Sequence, residues 1–173
     1  SGTKTIVEFF DYTCSHCKTN FKAVKAQLAD KNVKVIMKEF PILGPNAVTA
    51  ASAAIAAKNQ GKYLEMHIKL MQHQGEITLA VVNDMAKKIG LDLNKFKDDV
   101  ANPKTKDQLE DNLKLGMDLK IYGTPSFIIN GIVYRGSLNE EELKNYLSIR
   151  KPQATSSEVS FPEEEKPIRT ASL

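Results

Sequence analysis

Two apolar runs near the start of the chain have the composition of β-strands. TIVEFF at 5–10 and VKVIMKEF at 33–40 are both rich in β-branched and aromatic residues. Between them, apolar residues recur at intervals of three and four, which is the spacing of one helix face. These residues are Cys14, Cys17, Phe21, Val24 and Leu28. A strand, a helix and a strand within about 40 residues predict a crossover between parallel strands.

From Pro45 to about Lys120 the apolar spacing is helical only. A glycine or a proline follows each periodic segment, as expected where helices end. The predicted helices cover 46–59, 62–73, 78–89, 92–100 and 105–119. Thr78 is a candidate N-cap for the third of them. Five apolar residues at 63–71 are expected to pack among these helices or to line a peptide groove.

Strand patterns return at 126–130 and 132–136, and Asn130-Gly131 between them is a hairpin signature. The order is therefore strand, helix, strand, helical block, hairpin and helix. It predicts an α/β fold in which a sheet of mixed direction is interrupted by an all-helical insertion.

The end of the chain divides into a helix and a tail. Ser137 and Glu140 have the spacing of a capping box, which predicts a last helix to about Ile149. The residues that follow are rich in Pro, Ser, Thr and Glu and have no periodicity. The predicted parts are a domain built from 1–44 and 121–150, an insertion at 45–120 and a flexible or peptide-like tail at 151–173.

Composition and charge exclude several classes of protein. Apolar residues make up 42% of the 173 residues and charged residues 26%, as in ordinary globular domains. The net charge of +3 comes from scattered residues, so no basic stripe predicts nucleic-acid binding. No apolar run approaches the roughly 20 residues of a membrane span. Two cysteines are too few for a disulfide-stapled scaffold.

Both cysteines lie in one motif, DYTCSHC, and three interpretations compete for it. A structural zinc site needs four ligands, and the chain has only His16, His67 and His73 besides the two thiols. Weaker capture of copper or zinc by the thiolates and His16 stays open. The cysteines could also be inert core thiols, or they could form a redox pair.

The position of the motif favours the redox pair. Cys14 begins the predicted helix after two candidate caps, Asp11 and Thr13, where free N–H groups and the helix dipole stabilise a thiolate. Cys17 follows one turn later on the apolar face. We therefore expect Cys14 to be exposed and Cys17 to be shielded, with a spacing that permits a disulfide. Such asymmetry suits a thiol that attacks and a partner that resolves.

Glu8 is a further candidate because it alternates with Ile6 and Phe10 along the first predicted strand. If that strand is central, the carboxyl is buried and its pKa rises, so that Glu8 can carry the proton of Cys17. If the strand lies at an edge, Glu8 is an ordinary exposed glutamate.

Three motifs in this order resemble the DsbA-like branch of the thioredoxin superfamily. They are VEFFDYTCSHC, the acidic Glu8 six positions before the first cysteine, and GTPSFIING with Thr124-Pro125. The resemblance covers roughly residues 4–149. It implies a thioredoxin-like mixed sheet with an all-helical insertion, and exchange of disulfides with unfolded or reduced protein substrates.

The resemblance also implies residue roles. Cys14, Cys17, His16 and Glu8 would be catalytic, while Thr124, Pro125 and Ser15 would contact the substrate. Pro125 is expected to follow a cis peptide bond, with an ordinary trans turn as the alternative. The redox-active Cys14–Cys17 disulfide would replace any cofactor, and no metal is expected.

The partners and the direction of the reaction are left open. A redox partner protein, such as a membrane oxidase or reductase, and a periplasmic or otherwise exported location are implied, although no signal-peptide pattern precedes the first strand. Ser15-His16 between the cysteines and Thr124 before the proline leave oxidase, isomerase and reductase all compatible with the motif. A copper- or zinc-sequestering protein and a glutathione-dependent transferase are the rival functions.

Overall fold

The computed structural model describes residues 4–149, and that part of the chain contains four strands and seven helices. The elements are β1 (Lys4–Phe10), α1 (Ser15–Leu28), β2 (Val33–Glu39), α2 (Pro45–Lys58), α3 (Tyr63–Gln72), α4 (Leu79–Lys88), α5 (Leu93–Val100), α6 (Pro103–Asp118), β3 (Ser126–Ile129), β4 (Ile132–Arg135) and α7 (Glu140–Ser148). The predicted tail at 151–173 lies outside the described residues. No helix within 4–149 is long and apolar enough to cross a membrane.

The sheet has the order β2-β1-β3-β4, so β1 is a central strand. β1 is parallel to β2 and antiparallel to β3, and β3 is antiparallel to β4. Both turn residues of the β3–β4 hairpin, Asn130 and Gly131, have positive φ, at 53° and 79°. Asparagine and glycine adopt this conformation at low cost. The predicted mixed sheet, the parallel crossover and the hairpin are confirmed.

Because side chains alternate along β1, its two faces bury different residues. Phe9 packs with Phe40 and Ile121 on one face. Phe10 faces the other side, where Phe21 of α1 and residues of the helical block pack against it. Glu8 shares the face of Phe10 because the two residues are two positions apart on the strand.

The helices between Pro45 and Asp118 pack onto the sheet rather than apart from it. The alanine-rich α2 is buried along most of its length, since small side chains allow neighbouring helices to approach closely. Met66, Leu70 and Met71 of α3 are buried in the same cluster as Phe10. These α3 residues therefore form core and do not line an open groove.

The last helix begins two residues later than the sequence predicted. Its N-cap is Asn139, which accepts from the Glu142 amide at 2.9 Å, while Glu142 accepts from the Asn139 amide at 2.8 Å. The expected box at Ser137 and Glu140 is wrong. Buried Asn20 instead holds both backbone groups of Leu138, at 2.8 and 2.9 Å, and keeps that stretch extended ahead of the helix.

Candidate active site

The two cysteines stand at the start of α1, immediately after the central strand. Cys14 is the N-cap residue, with φ −80° and ψ 119°, and Cys17 lies in the first turn. That turn contains no acidic residue. Cys14 therefore stands at the N-terminal end of the α1 dipole, with no acidic side chain in the first turn.

Cys14 was expected to be exposed, and the structure corrects that expectation. Its exposed fraction is only 7%, against 0% for Cys17. The cover comes from the loop before β3, whose Thr124 carbonyl oxygen lies 3.5 Å from the Cys14 Sγ. The predicted order of accessibility holds, because Cys14 is the less buried of the two.

The covering loop contains the second predicted motif. The Thr124–Pro125 peptide bond is cis. The loop is fixed at both ends, because Ser126 Oγ donates to the Gly123 carbonyl at 2.9 Å and the Gly136 amide donates to the Pro125 carbonyl at 2.9 Å. Thr124 and Pro125 are thereby brought to the cysteine pair from more than 100 residues away in sequence.

Cys17 lies among apolar neighbours that include Phe10 and Phe21. Burial raises the pKa of the Cys17 thiol well above its ordinary value. Cys17 can therefore leave or attack as a thiolate only if a nearby group supplies or accepts its proton.

Glu8 has the properties that such a group needs. It is 1% exposed and pairs in register with Met37 of β2 and Phe127 of β3. Burial raises the pKa of its carboxyl from 4.5 to about 8. At neutral pH the group is thus mostly protonated and can release or take up a proton with small changes of pH. The predicted burial of Glu8 is confirmed.

Ser15 and His16, between the cysteines, are both exposed. They form the outer surface of the first turn of α1, with the backbone carbonyl of Ser15 accepting from Thr19 Oγ1 at 3.0 Å. The structure therefore brings Cys14, Cys17, Thr124 and Pro125 together, with Ser15 and His16 at the surface. Glu8 is buried on β1, the strand that leads into this site.

Asp11 has a different role from the predicted helix cap. Its Oδ1 accepts from the Thr13 amide and hydroxyl at 2.8 and 2.7 Å, and its Oδ2 accepts from the amides of Ile42 and Leu43 at 3.0 and 3.1 Å. This buried carboxylate ties the loop before Cys14 to the loop after β2. The cap position is instead occupied by Cys14 itself.

The sequence reasoning missed two long-range hydrogen bonds made by α3, one of them buried and the other partly buried. The Tyr12 hydroxyl and His67 Nδ1 are 2.8 Å apart, and the Tyr63 hydroxyl donates to Glu39 Oε1 at 2.5 Å. Tyr12 and His67 are 55 residues apart, so no local spacing links them. His67 entered the sequence reasoning only as a metal-ligand candidate.

The histidines and thiols were also considered as ligands for a metal ion. Within 4–149, no three His, Cys, Asp or Glu side chains are grouped so that they could hold one. His67, one of the three candidate histidines, is fully buried against Tyr12.

A buried dithiol at a helix start beside a proline loop defines the class of thioredoxin-fold thiol–disulfide oxidoreductases. The family model for the DSBA-like thioredoxin domain matches residues 5–148. The chain belongs to that family.

Solved structures agree with this assignment. A thioredoxin-like oxidoreductase from Silicibacter pomeroyi DSS-3 is 34% identical with a TM-score of 0.80, over 84% of this chain and 85% of that one. The thiol-disulfide exchange protein alpha-DsbA2 from Wolbachia pipientis is 29% identical with a TM-score of 0.79, over 85% and 81%. A periplasmic thioredoxin-like protein from Salmonella enterica serovar Typhimurium is 26% identical with a TM-score of 0.74, over 84% and 83%.

The curated relatives are much longer proteins. The Na(+)/H(+) antiporter NhaA 1 of Salinispora arenicola is 36% identical over 143 residues, which cover 80% of this chain and 22% of that protein. The chain thus spans about a fifth of the length of this relative.

Proposed function

We propose that this chain exchanges disulfides with protein substrates through Cys14 and Cys17. The observation that carries the proposal is the unequal burial of the two thiols at one helix start, with the more accessible Cys14 Sγ facing the Thr124 carbonyl. One sulfur can meet a substrate while the other is kept from it.

In the oxidising direction, a substrate thiolate attacks Cys14 Sγ of the Cys14–Cys17 disulfide. A mixed disulfide forms, the Cys14–Cys17 bond breaks, and Cys17 leaves as a thiolate. Protonated Glu8 supplies the proton that Cys17 needs, because burial makes the Cys17 thiolate costly. A second substrate thiolate then attacks the substrate sulfur, and Cys14 leaves as a thiolate with both electrons delivered to the pair.

The reducing direction uses the same groups in reverse. The Cys14 thiolate attacks a substrate disulfide, the carboxylate of Glu8 takes the proton of Cys17, and Cys17 then attacks Cys14 to release the reduced substrate. Isomerisation combines the first step of the reducing direction, in which Cys14 attacks a substrate disulfide, with the last step of the oxidising direction, in which another substrate thiolate displaces Cys14. The motif supports all three, and the redox potential of the pair decides among them.

The substrate side of the site is the loop at Thr124 and Pro125 together with Ser15. An extended substrate segment beside Cys14 would pair with the backbone of this loop by strand addition, replacing the contact between Cys14 and the Thr124 carbonyl. Exposed His16 would stabilise the Cys14 thiolate through charge or hydrogen bonding and so make the pair more oxidising.

The surroundings of the domain are also part of the proposal. A periplasmic or otherwise exported location is supported by the similarity to the periplasmic thioredoxin-like protein of Salmonella enterica serovar Typhimurium. A thiol–disulfide partner protein, such as a membrane oxidase or reductase, would restore the pair after each turnover. Where this chain is joined to a longer protein, that partner could act on it near a membrane.

Catalysed reduction of insulin by dithiothreitol tests the function against metal sequestration. We expect turnover by the reduced protein and no stoichiometric binding of Zn²⁺ or Cu⁺ that survives dialysis against a weak chelator. The control is His73→Gln, which changes a histidine outside the site. Tight stoichiometric metal binding without turnover would contradict the proposal.

A further inference from the structure

A buried histidine lies where the helical block meets the elements that carry the cysteines. His67 on α3 is 0% exposed. Its ring is surrounded by four aromatic rings whose centroids lie 5.1–5.7 Å away. This aromatic box consists of Phe10, Tyr12, Phe21 and Tyr63. The histidine thus contacts β1, the loop before Cys14, and α1 at once.

Among the described residues, the imidazole has one hydrogen-bond partner, the hydroxyl of Tyr12 in the loop before Cys14. Nδ1 lies 2.8 Å from the Tyr12 hydroxyl, while Nε2 is buried without a hydrogen-bond partner among residues 4–149. Burial lowers the pKa of His67 to about 4, so the ring is neutral at neutral pH. A buried imidazole with one unpaired nitrogen costs free energy of folding, so its presence needs a physical explanation.

The contact continues into a larger buried polar group. Tyr63 stacks on the His67 ring at an interplanar angle of 19° and donates to Glu39 at the end of β2. Burial, followed by the charge of Glu39 and then that of Glu8, raises the pKa of Tyr12. The charges of both buried carboxyl groups, Glu39 and Glu8, therefore act on the Tyr12 hydroxyl.

We propose that His67 is a positioning residue for disulfide exchange, because its Nδ1 contact with Tyr12 fixes the loop that delivers Cys14. The contact joins loop 11–14 to α3, and the Tyr12 hydroxyl also interacts with the Tyr63 hydroxyl on the same helix. Tyr12 precedes Cys14 by two residues, so a displaced Tyr12 moves the cysteine relative to the first turn of α1. The inference rests on the proposed function of the pair.

The expected consequence is a change in redox equilibrium. If Cys14 moves away from the N-terminal end of α1, the helix dipole stabilises the reduced form less. The pair then becomes less oxidising. We expect at least a threefold fall in the equilibrium constant for its reduction by glutathione.

Two substitutions of His67 separate position from packing. An asparagine amide reaches the place of Nδ1, whereas a glutamine amide reaches the place of Nε2. His67→Asn should therefore keep the Tyr12 contact and an equilibrium constant near that of the unmodified protein. His67→Gln and Tyr12→Phe should both show the fall. The matched control is His73→Gln, because His73 on the same stretch of chain bonds the Glu76 carbonyl through Nε2.

The measurement is the equilibrium constant with glutathione, determined by trapping thiols at each ratio, beside the unfolding midpoint of every variant. A role in packing alone would lower the midpoint and leave the equilibrium constant unchanged. Unchanged constants in folded Tyr12→Phe and His67→Gln would overturn the inference, as would an equal fall in His67→Asn. If His67 variants do not fold, Tyr12→Phe decides alone. If the unmodified protein equilibrates with glutathione but does not catalyse the reduction of insulin, the proposed function is refuted and the inference about His67 is not.

Discussion

Replacing Cys14 by serine is expected to reduce insulin turnover to the uncatalysed rate. A hydroxyl cannot form the mixed disulfide, and Cys17, which is 0% exposed, cannot reach a substrate in its place. Serine differs from cysteine only by an oxygen in place of the sulfur, so it fits the space of Cys14, which is 7% exposed. The fold should therefore persist. Turnover and the unfolding midpoint, measured together, check this prediction.

Replacing Cys17 by serine should give a different result. The substrate can still attack or be attacked at Cys14, but the mixed disulfide has no internal thiol to resolve it. Covalent adducts with a reduced or oxidised peptide should therefore accumulate on Cys14 and be visible by mass spectrometry. Adducts on Cys17 in Cys14→Ser, or turnover by either variant near that of the unmodified protein, would contradict the assigned roles.

The second large effect concerns Glu8. Its folded-state pKa of about 8 lies above the value of 4.5 expected in the unfolded chain. Between these two pH values the folded protein keeps a proton that the unfolded chain releases. Stability from this group is therefore complete below pH 4.5 and is lost as the pH rises through about 8. The loss amounts to at most about 5 kcal/mol, at roughly 1.4 kcal/mol for each pKa unit.

Glu8→Gln removes this loss because the amide does not ionise. The variant should gain stability relative to the unmodified protein as the pH rises from 5 to 9, and its insulin turnover should fall near neutral pH, where Cys17 has lost its proton carrier. Denaturant unfolding at several pH values provides the measurement. The control is Glu110→Gln, whose carboxylate forms an exposed ion pair and should change stability by less than about 1 kcal/mol. Parallel stability curves for Glu8→Gln and the unmodified protein would remove the buried carboxyl from the account.

The sequence predicted those features that local chemistry determines. Alternation along β1 placed Glu8 on the face of Ile6 and Phe10, and the central position of β1, which the sequence left open, buries it. Asn130-Gly131 predicted the hairpin because few other dipeptides adopt positive φ twice. The start of α1 at the cysteines followed from the apolar spacing and from the strand before it.

Features that depend on distant segments were not predictable in this way. The burial of Cys14 comes from Thr124, which is 110 residues away, and the Tyr12–His67 contact joins positions 55 residues apart. Ser137/Glu140 and Asn139/Glu142 both have capping-box spacing. The buried contacts of Asn20 with Leu138 decide between them, and no local pattern reports those contacts.

The reduction potential of the Cys14–Cys17 pair tests the central claim most directly. The protein would be equilibrated with graded ratios of reduced and oxidised glutathione, its thiols trapped by alkylation, and the fraction of reduced pair determined by mass. We predict a reversible two-electron transition at a potential less negative than about −300 mV, the range of exchanging rather than structural disulfides. A pair that forms no disulfide at any ratio, or one that stays oxidised below that potential, would contradict the account.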